Sequence, residues 1–122
     1  MASHTLNPNL RAELEELTST VCRALNDPKR LMILYALGDK QHSVGELCSL
    51  LEFSQSNMSQ HLAVMRDRGL VDTTRDGNRV IYNLRDRRLL DAIDLLRDVM
   101  NDDLARRHTL RTGKQAKAAR RR

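Results

Sequence analysis

The chain has 122 residues, 40% of them hydrophobic, a length that supports one small domain with a limited core. Only Tyr35, Phe53 and Tyr82 are aromatic, so aliphatic residues and Met must form the core, which favours packed helices over a β-sandwich. The formal net charge is +5, but the last twelve residues hold six cations and no acid, so the remainder is nearly neutral and its charge says little about nucleic-acid binding.

The first predicted helix carries one apolar stripe. The stripe consists of Leu14, Leu17, Val21 and Leu25. Residues 1–12, which precede it, are predicted to be a flexible N-terminus. Asp27 followed by Pro28 is typical of a helix start, with aspartate as the cap and proline in the first turn. The second helix that begins there is predicted to end at Gly38.

Two further helices are predicted close together. Ser43 and Glu46 have the spacing of a capping box, which starts a third helix with Val44, Leu47, Cys48 and Leu51 on its inner face. Ser54 caps a fourth helix, which runs to about Arg68. The apolar stripe of this fourth helix is Met58, Leu62 and Met65.

A β-hairpin and a long helix complete the predicted domain. Two β-prone runs, 70–75 and 79–84, are joined by a turn that contains Gly77. A last helix begins near Asp86 and presents more apolar surface than a terminal helix should expose. The predicted domain therefore spans residues 13–106, and residues 107–122 are predicted to be a basic, disordered tail.

The fourth helix has the composition of a DNA-reading helix. Two short helices followed by a hairpin place the second helix in the major groove, while the hairpin forms a wing. Short hydrogen-bonding side chains read base edges, and arginines bind phosphates. The candidate DNA-binding residues are Gln55, Ser56, Asn57, Ser59, Gln60, His61, Arg66, Arg75, Asn78 and Arg79.

The chain resembles the ArsR/SmtB family of repressors over roughly residues 15–105. The resemblance is carried by "LNDPKRLMILYALGD", "SVGELCSLLEFSQSNMSQHLAVMRDRGLV" and "RDGNRVIYNL". It implies a mainly α protein with a small β-hairpin, folded as a winged helix-turn-helix. It also implies a homodimer formed by the first and last helices, which an inducer releases from operator DNA. The predicted dimer interface contains Leu14, Leu17, Val21, Leu89, Ile93, Leu96 and Met100.

The metal sites of that family are missing from this sequence. The positions similar to the family's paired cysteines are Ser43 and Gly45, which offer no thiolate. The positions similar to the family's second metal site are Asp86, Arg88, Val99 and Asp102, none of which offers the imidazole that a zinc site needs. We therefore expect no metal and no cofactor.

Cys22 and Cys48 are the two cysteines, and they are candidate residues of a thiol sensor. Both also fit apolar helix stripes, where a cysteine is usually a small core residue. The N-terminus is unlike a signal peptide and no apolar run is long enough to span a bilayer, so we expect a cytoplasmic protein with reduced thiols.

Three functions other than that of a repressor are compatible with a small helical domain. An enzyme is disfavoured because no nucleophile, base and orienting group can be identified together. A winged-helix protein-interaction module would need an apolar or aromatic surface in place of the Gln, Ser and Asn face. A regulator without any small-molecule sensor remains open.

Overall fold

The structure is a computed structural model that describes the backbone of residues 7–121 and the side chains of residues 7–110. Its elements are α1 (Pro8–Leu17), a π-helical segment (Thr18–Cys22), α2 (Arg23–Leu25), α3 (Pro28–Asp39), β1 (His42–Ser43), α4 (Val44–Leu51), α5 (Gln55–Asp67), β2 (Val71–Asp76), β3 (Arg79–Leu84) and α6 (Arg88–Arg121). The mainly helical class is confirmed. No helix in the described part of the chain is both long and apolar enough to cross a membrane. The chain divides into a winged unit, which ends at Arg87, and α6.

α1 begins earlier than the sequence analysis predicted. Asn7 caps it, since its Oδ1 accepts a hydrogen bond from the Leu10 backbone N–H at 2.8 Å, and Pro8 occupies the first turn. The structure thus differs from the predicted flexible N-terminus, residues 1–12, by forming helix from Pro8 onward. The Asn-Pro pair is the same kind of start signal as Asp27 and Pro28.

The π-helical segment replaces a stretch where regular α-helix was predicted. The hydroxyls of Thr18, Ser19 and Thr20 donate to the main-chain carbonyl oxygens of Glu15 or Glu16 at 2.9, 3.1 and 2.6 Å. Such side-chain bonds compete with the regular main-chain ladder and bend helices. Arg68, at the end of α5, donates from Nη1 to the Ser19 carbonyl oxygen, which ties this segment to α5.

Asp27 caps α3 as predicted. Its side chain accepts a hydrogen bond from the Lys29 backbone N–H at 2.8 Å. This hydrogen bond is the main reason why the pKa of the Asp27 carboxyl is lowered.

Asp27→Asn is expected to make stability less sensitive to acid while keeping the cap, because asparagine caps helices as well as aspartate. A carboxyl whose pKa is lowered by folding stabilises the protein above its ordinary pKa, and this stabilisation is lost as the pH falls through the folded value. Urea unfolding between about pH 5 and pH 2 should therefore show a smaller loss in the variant than in the wild type. Equal losses would contradict the role of this carboxyl.

The core of the winged unit is aliphatic. The predicted apolar stripe of α5 is confirmed, because Met58, Leu62 and Met65 are all fully buried. Other elements contribute further buried side chains, which are Ala24, Ile33, Leu34, Leu37, Leu47, Leu70, Val71 and Ile81. The three buried side chains on one side of α5 hold that helix in a fixed orientation.

The sheet has one strand more than the predicted hairpin. β2 and β3 form the hairpin, in register from Val71↔Leu84 to Asp76↔Arg79. Gly77 has a φ of +62°, a left-handed conformation that glycine adopts without the strain that a side chain would add. β1 adds two residues on the other side of β3, and its His42 is buried with no hydrogen-bond partner for Nδ1 among the described residues. A two-residue strand leaves no periodic signal in the sequence.

α6 runs from Arg88 to Arg121 without a break. The backbone stays helical across residue 107, where the sequence predicted the start of a disordered tail. The structure differs from that prediction. The physical reason is composition, since Ala, Lys, Arg and Gln are good helix formers even where apolar residues are absent. The side chains of residues 111–122 lie outside the described part of the structure.

Candidate nucleic-acid interface

α4 and α5 are joined by a sharp turn that sets the direction of α5. Glu52 ends α4 in the left-handed conformation, with a φ of 59°. Two residues later, Ser54 caps α5 by accepting a hydrogen bond from the Asn57 backbone N–H at 3.1 Å. This geometry is that of a helix-turn-helix.

α5 has a polar, exposed surface opposite its buried stripe. We call this surface the reading face, and it consists of Gln55, Ser56, Asn57, Ser59 and Gln60. Each of these side chains carries hydrogen-bonding groups that match base edges. The structure therefore brings together the short polar residues that the sequence analysis selected.

His61 does not belong to the reading face. It is half-buried, and its Nδ1 lies 3.4 Å from Arg30 Nη1. Arg30 also donates to the carbonyl oxygens of Ala24 at 2.5 Å and Arg23 at 3.3 Å. The histidine selected as a DNA contact is thus part of an internal link between α5 and the end of α2.

The three hairpin residues predicted to contact DNA are all exposed, but one of them is paired with another part of the protein. Arg75 and Asn78 are exposed near the tip of the wing, which we define as β2, the turn and β3. Arg79 is also exposed, with 56% of its side chain accessible to solvent, but its Nη2 lies 2.8 Å from Glu46 Oε1 and 3.1 Å from Ser43 Oγ. No local sequence pattern indicates this contact, because 33 residues separate Arg79 from Glu46.

A concave surface lies between α5 and the wing. It has a volume of about 540 Å³ and is lined by Ser59, Ala63, Arg66, Asp67 and Tyr82. Arg66 is exposed, so its guanidinium is available to a phosphate on this side. Asp67, also exposed, places a negative charge on the same concave surface, at the end of α5.

Both cysteines are free thiols in different environments. Cys22 is exposed in the π-helical segment, and Cys48 is half-buried on α4. A sensor role for either residue stays a prediction. Among the described residues, no group of three or more His, Cys, Asp or Glu side chains is arranged to hold a metal ion.

The predicted dimer residues differ in how much of their surface is exposed. Leu14, Leu17, Leu96 and Met100 are exposed, whereas Val21 and Leu89 are half-buried. Ile93 is only 6% exposed, so it has almost no surface left for a second chain. The exposed apolar face of α6 also includes residues that the sequence analysis did not select, namely Leu95, Val99 and Leu104.

The profile of a family described as "bacterial regulatory protein, arsR family" matches residues 27–73. The HTH-type transcriptional regulator YgaV of Escherichia coli is 40% identical over 91 residues, which are 74% of this chain and 91% of that protein. The transcriptional activator HlyU of Vibrio cholerae is 46% identical over 74 residues, which are 61% of this chain and 68% of HlyU. The crystal structure of Rv0081 from M. tuberculosis has a TM-score of 0.67 at 32% identity, covering 84% of this chain and 98% of that one.

Proposed function

This chain belongs to the ArsR family of bacterial regulatory proteins, and on that basis we propose that it is a homodimeric transcriptional repressor. In this proposal the reading face of α5 enters the major groove of operator DNA, and the tip of the wing contacts the flanking backbone. The two subunits bind half-sites about one helical turn apart, or a multiple of it. The protein acts in the cytoplasm, where its operator lies, and catalyses no reaction.

The reading face is the observation that carries this proposal. Five exposed polar residues project from a helix whose opposite side is held by three fully buried ones. A rigid helix with short polar side chains can place hydrogen-bonding groups against base edges with little loss of entropy. The centre of a protein interface would instead present aromatic residues, Met or Leu, which disfavours an interaction module.

Residues 13–106 are proposed as the DNA-binding and dimerisation domain. Exposed leucines on α1 and the exposed apolar face of α6 support self-association, because monomeric proteins rarely expose apolar patches of this kind. The resemblance also suggests release from the operator by an inducer. Cys22 is the exposed thiol with which a thiol-reactive inducer would react first, and a regulator without a sensor is the alternative.

Gln60→Ala and Ser56→Ala are each expected to weaken operator binding by about 1 to 3 kcal/mol, because each removes a base contact. Binding to random-sequence DNA should hardly change, since phosphate contacts dominate there. The operator is first selected from genomic fragments with the wild-type protein, and affinities are then measured by fluorescence anisotropy.

Gln41→Ala is the matched control for this experiment. Gln41 is the same residue type and is also exposed, but it precedes β1 and lies outside α5. We expect this variant to bind both kinds of DNA like the wild type. If Gln60→Ala and Gln41→Ala bound the operator equally well, α5 would not be the reading helix. Failure of the wild type to select any sequence would refute the proposed function itself.

A further inference from the structure

Arg79 is held by two oxygen atoms at the start of α4. Its Nη2 donates to Glu46 Oε1 at 2.8 Å and to Ser43 Oγ at 3.1 Å. The guanidinium is therefore hydrogen-bonded to the protein itself, although 56% of the Arg79 side chain and 47% of the Glu46 side chain remain exposed. Hydrogen bonds between ionised groups are shorter and stronger than neutral ones, and exposure to water weakens them.

The two acceptor atoms are themselves fixed by the capping box of α4. Glu46 Oε1 accepts from the Ser43 backbone N–H at 2.9 Å, and Ser43 Oγ accepts from the Glu46 backbone N–H at 3.2 Å. The pKa of the Glu46 carboxyl is lowered, first by hydrogen bonds with the backbone and side chain of Ser43 and then by the charge of Arg79. Glu46 is thus ionised at neutral pH, and the helix start presents a pre-oriented pair of oxygens to the guanidinium.

This contact lies beyond the last residue pair between β1 and β3, where the sheet has only two strands. β1 pairs with β3 only through His42↔Tyr82 and Ser43↔Ile81. Arg79 lies two residues beyond Ile81 toward the turn, on the part of β3 that pairs only with β2. Its side chain therefore extends the link between the wing and α4 past the end of β1.

We propose that Arg79 is a positioning residue, which anchors the wing to the start of α4 and is not a phosphate ligand. The inference rests on the proposed function, and it assigns the phosphate contact of the hairpin to Arg75. The anchor fixes the wing relative to the helix-turn-helix, so that α5 and the tip of the wing meet DNA as one rigid surface.

The first test uses the free protein and needs no DNA. Backbone ¹⁵N relaxation at Gly77 and Asn78 reports the order of the wing tip. Arg79→Ala and Glu46→Gln are expected to lower the order parameters there, since each removes one side of the ion pair. Arg75→Ala removes the same charge from the same hairpin but not the anchor, so it should leave these order parameters unchanged.

The second test separates positioning from phosphate binding by salt dependence. A lost phosphate contact flattens the slope of log K against log salt concentration by about 0.9. Arg75→Ala should show this change once per subunit. Arg79→Ala should lower operator affinity by about threefold to tenfold while the slope stays that of the wild type.

Three outcomes would overturn the anchor. The first is that the order parameters of the wing tip are unchanged in both Arg79→Ala and Glu46→Gln. The second is that the salt slope of Arg79→Ala is as flat as that of Arg75→Ala. The third is that Arg79→Ala binds the operator with wild-type affinity. Glu46→Gln keeps every cation of the wing, so loss of wing order in this variant supports the anchor even if Arg79→Ala folds poorly. A wild type that binds no operator would refute the proposed function, while the relaxation test would still decide the anchor.

Discussion

Leu96→Glu is expected to convert the protein into a monomer and to lower operator affinity about 10²- to 10⁴-fold. Leu96 is 67% exposed on α6, in an apolar face with Leu95, Val99, Met100 and Leu104. A charge in the centre of such a face would be desolvated without a partner if two copies associated. The large loss of affinity follows because a monomer engages one half-site and loses the second, effectively intramolecular contact.

Sedimentation velocity at micromolar concentration measures the first effect, and an anisotropy titration with the full operator measures the second. Leu50→Glu is the matched control, because Leu50 is 58% exposed but lies on α4. That variant should remain a dimer. Ile93 is unsuitable for this experiment, since its burial means that Ile93→Glu would test folding. A dimeric Leu96→Glu with wild-type affinity would exclude this face as the interface.

Arg30→Met is expected to lower the free energy of unfolding by about 2 to 4 kcal/mol. The Arg30 side chain is only 15% exposed, and it lies 3.7 Å from Asp27 Oδ2 in addition to the Ala24 and Arg23 carbonyls and His61. Methionine fills a similar volume but donates no hydrogen bond, so these acceptors lose their partner in a half-buried place. We also expect weaker operator binding, because His61 on α5 loses its neighbour.

Urea unfolding at one fixed protein concentration measures this loss, since the stability of the proposed dimer would depend on concentration. Arg11→Met provides the control, because the Arg11 and Glu15 side chains on α1 are 77% and 72% exposed, and their ion pair should contribute less than about 0.5 kcal/mol. If Arg30→Met and Arg11→Met were equally stable, Arg30 would be an ordinary surface cation.

Local signals made much of this fold predictable. Asp27 with Pro28, Ser43 with Glu46, and Gly77 each act within four residues, and the structure places all three where the pattern indicated. The stripe on α5 was predictable for the same reason, since burial of a helix face follows its periodicity.

Contacts between distant residues were not predictable. Arg79 meets Glu46 and Arg30 meets His61 across more than thirty positions, and nothing in either neighbourhood marks the partner. Because of these two contacts, two of the candidate DNA-binding residues, Arg79 and His61, are already paired within the protein. The sequence therefore predicted the composition of the reading face, but it did not predict these two pairings. β1 was missed because two residues cannot show an alternating pattern.

The π-helical segment divides one apolar stripe into two faces. Leu14, Leu17 and Leu25 would share a side of an uninterrupted α-helix, as their spacing suggests. A wider turn accommodates one extra residue, which puts the parts before and after it out of phase by about 100°, the rotation of one residue. Ala24, after the segment, is buried in the winged unit, while Leu14 and Leu17 before it stay exposed. The part of this amphipathic sequence after the segment thereby contributes to the core, while the leucines before it stay exposed, as expected for the dimer that we propose.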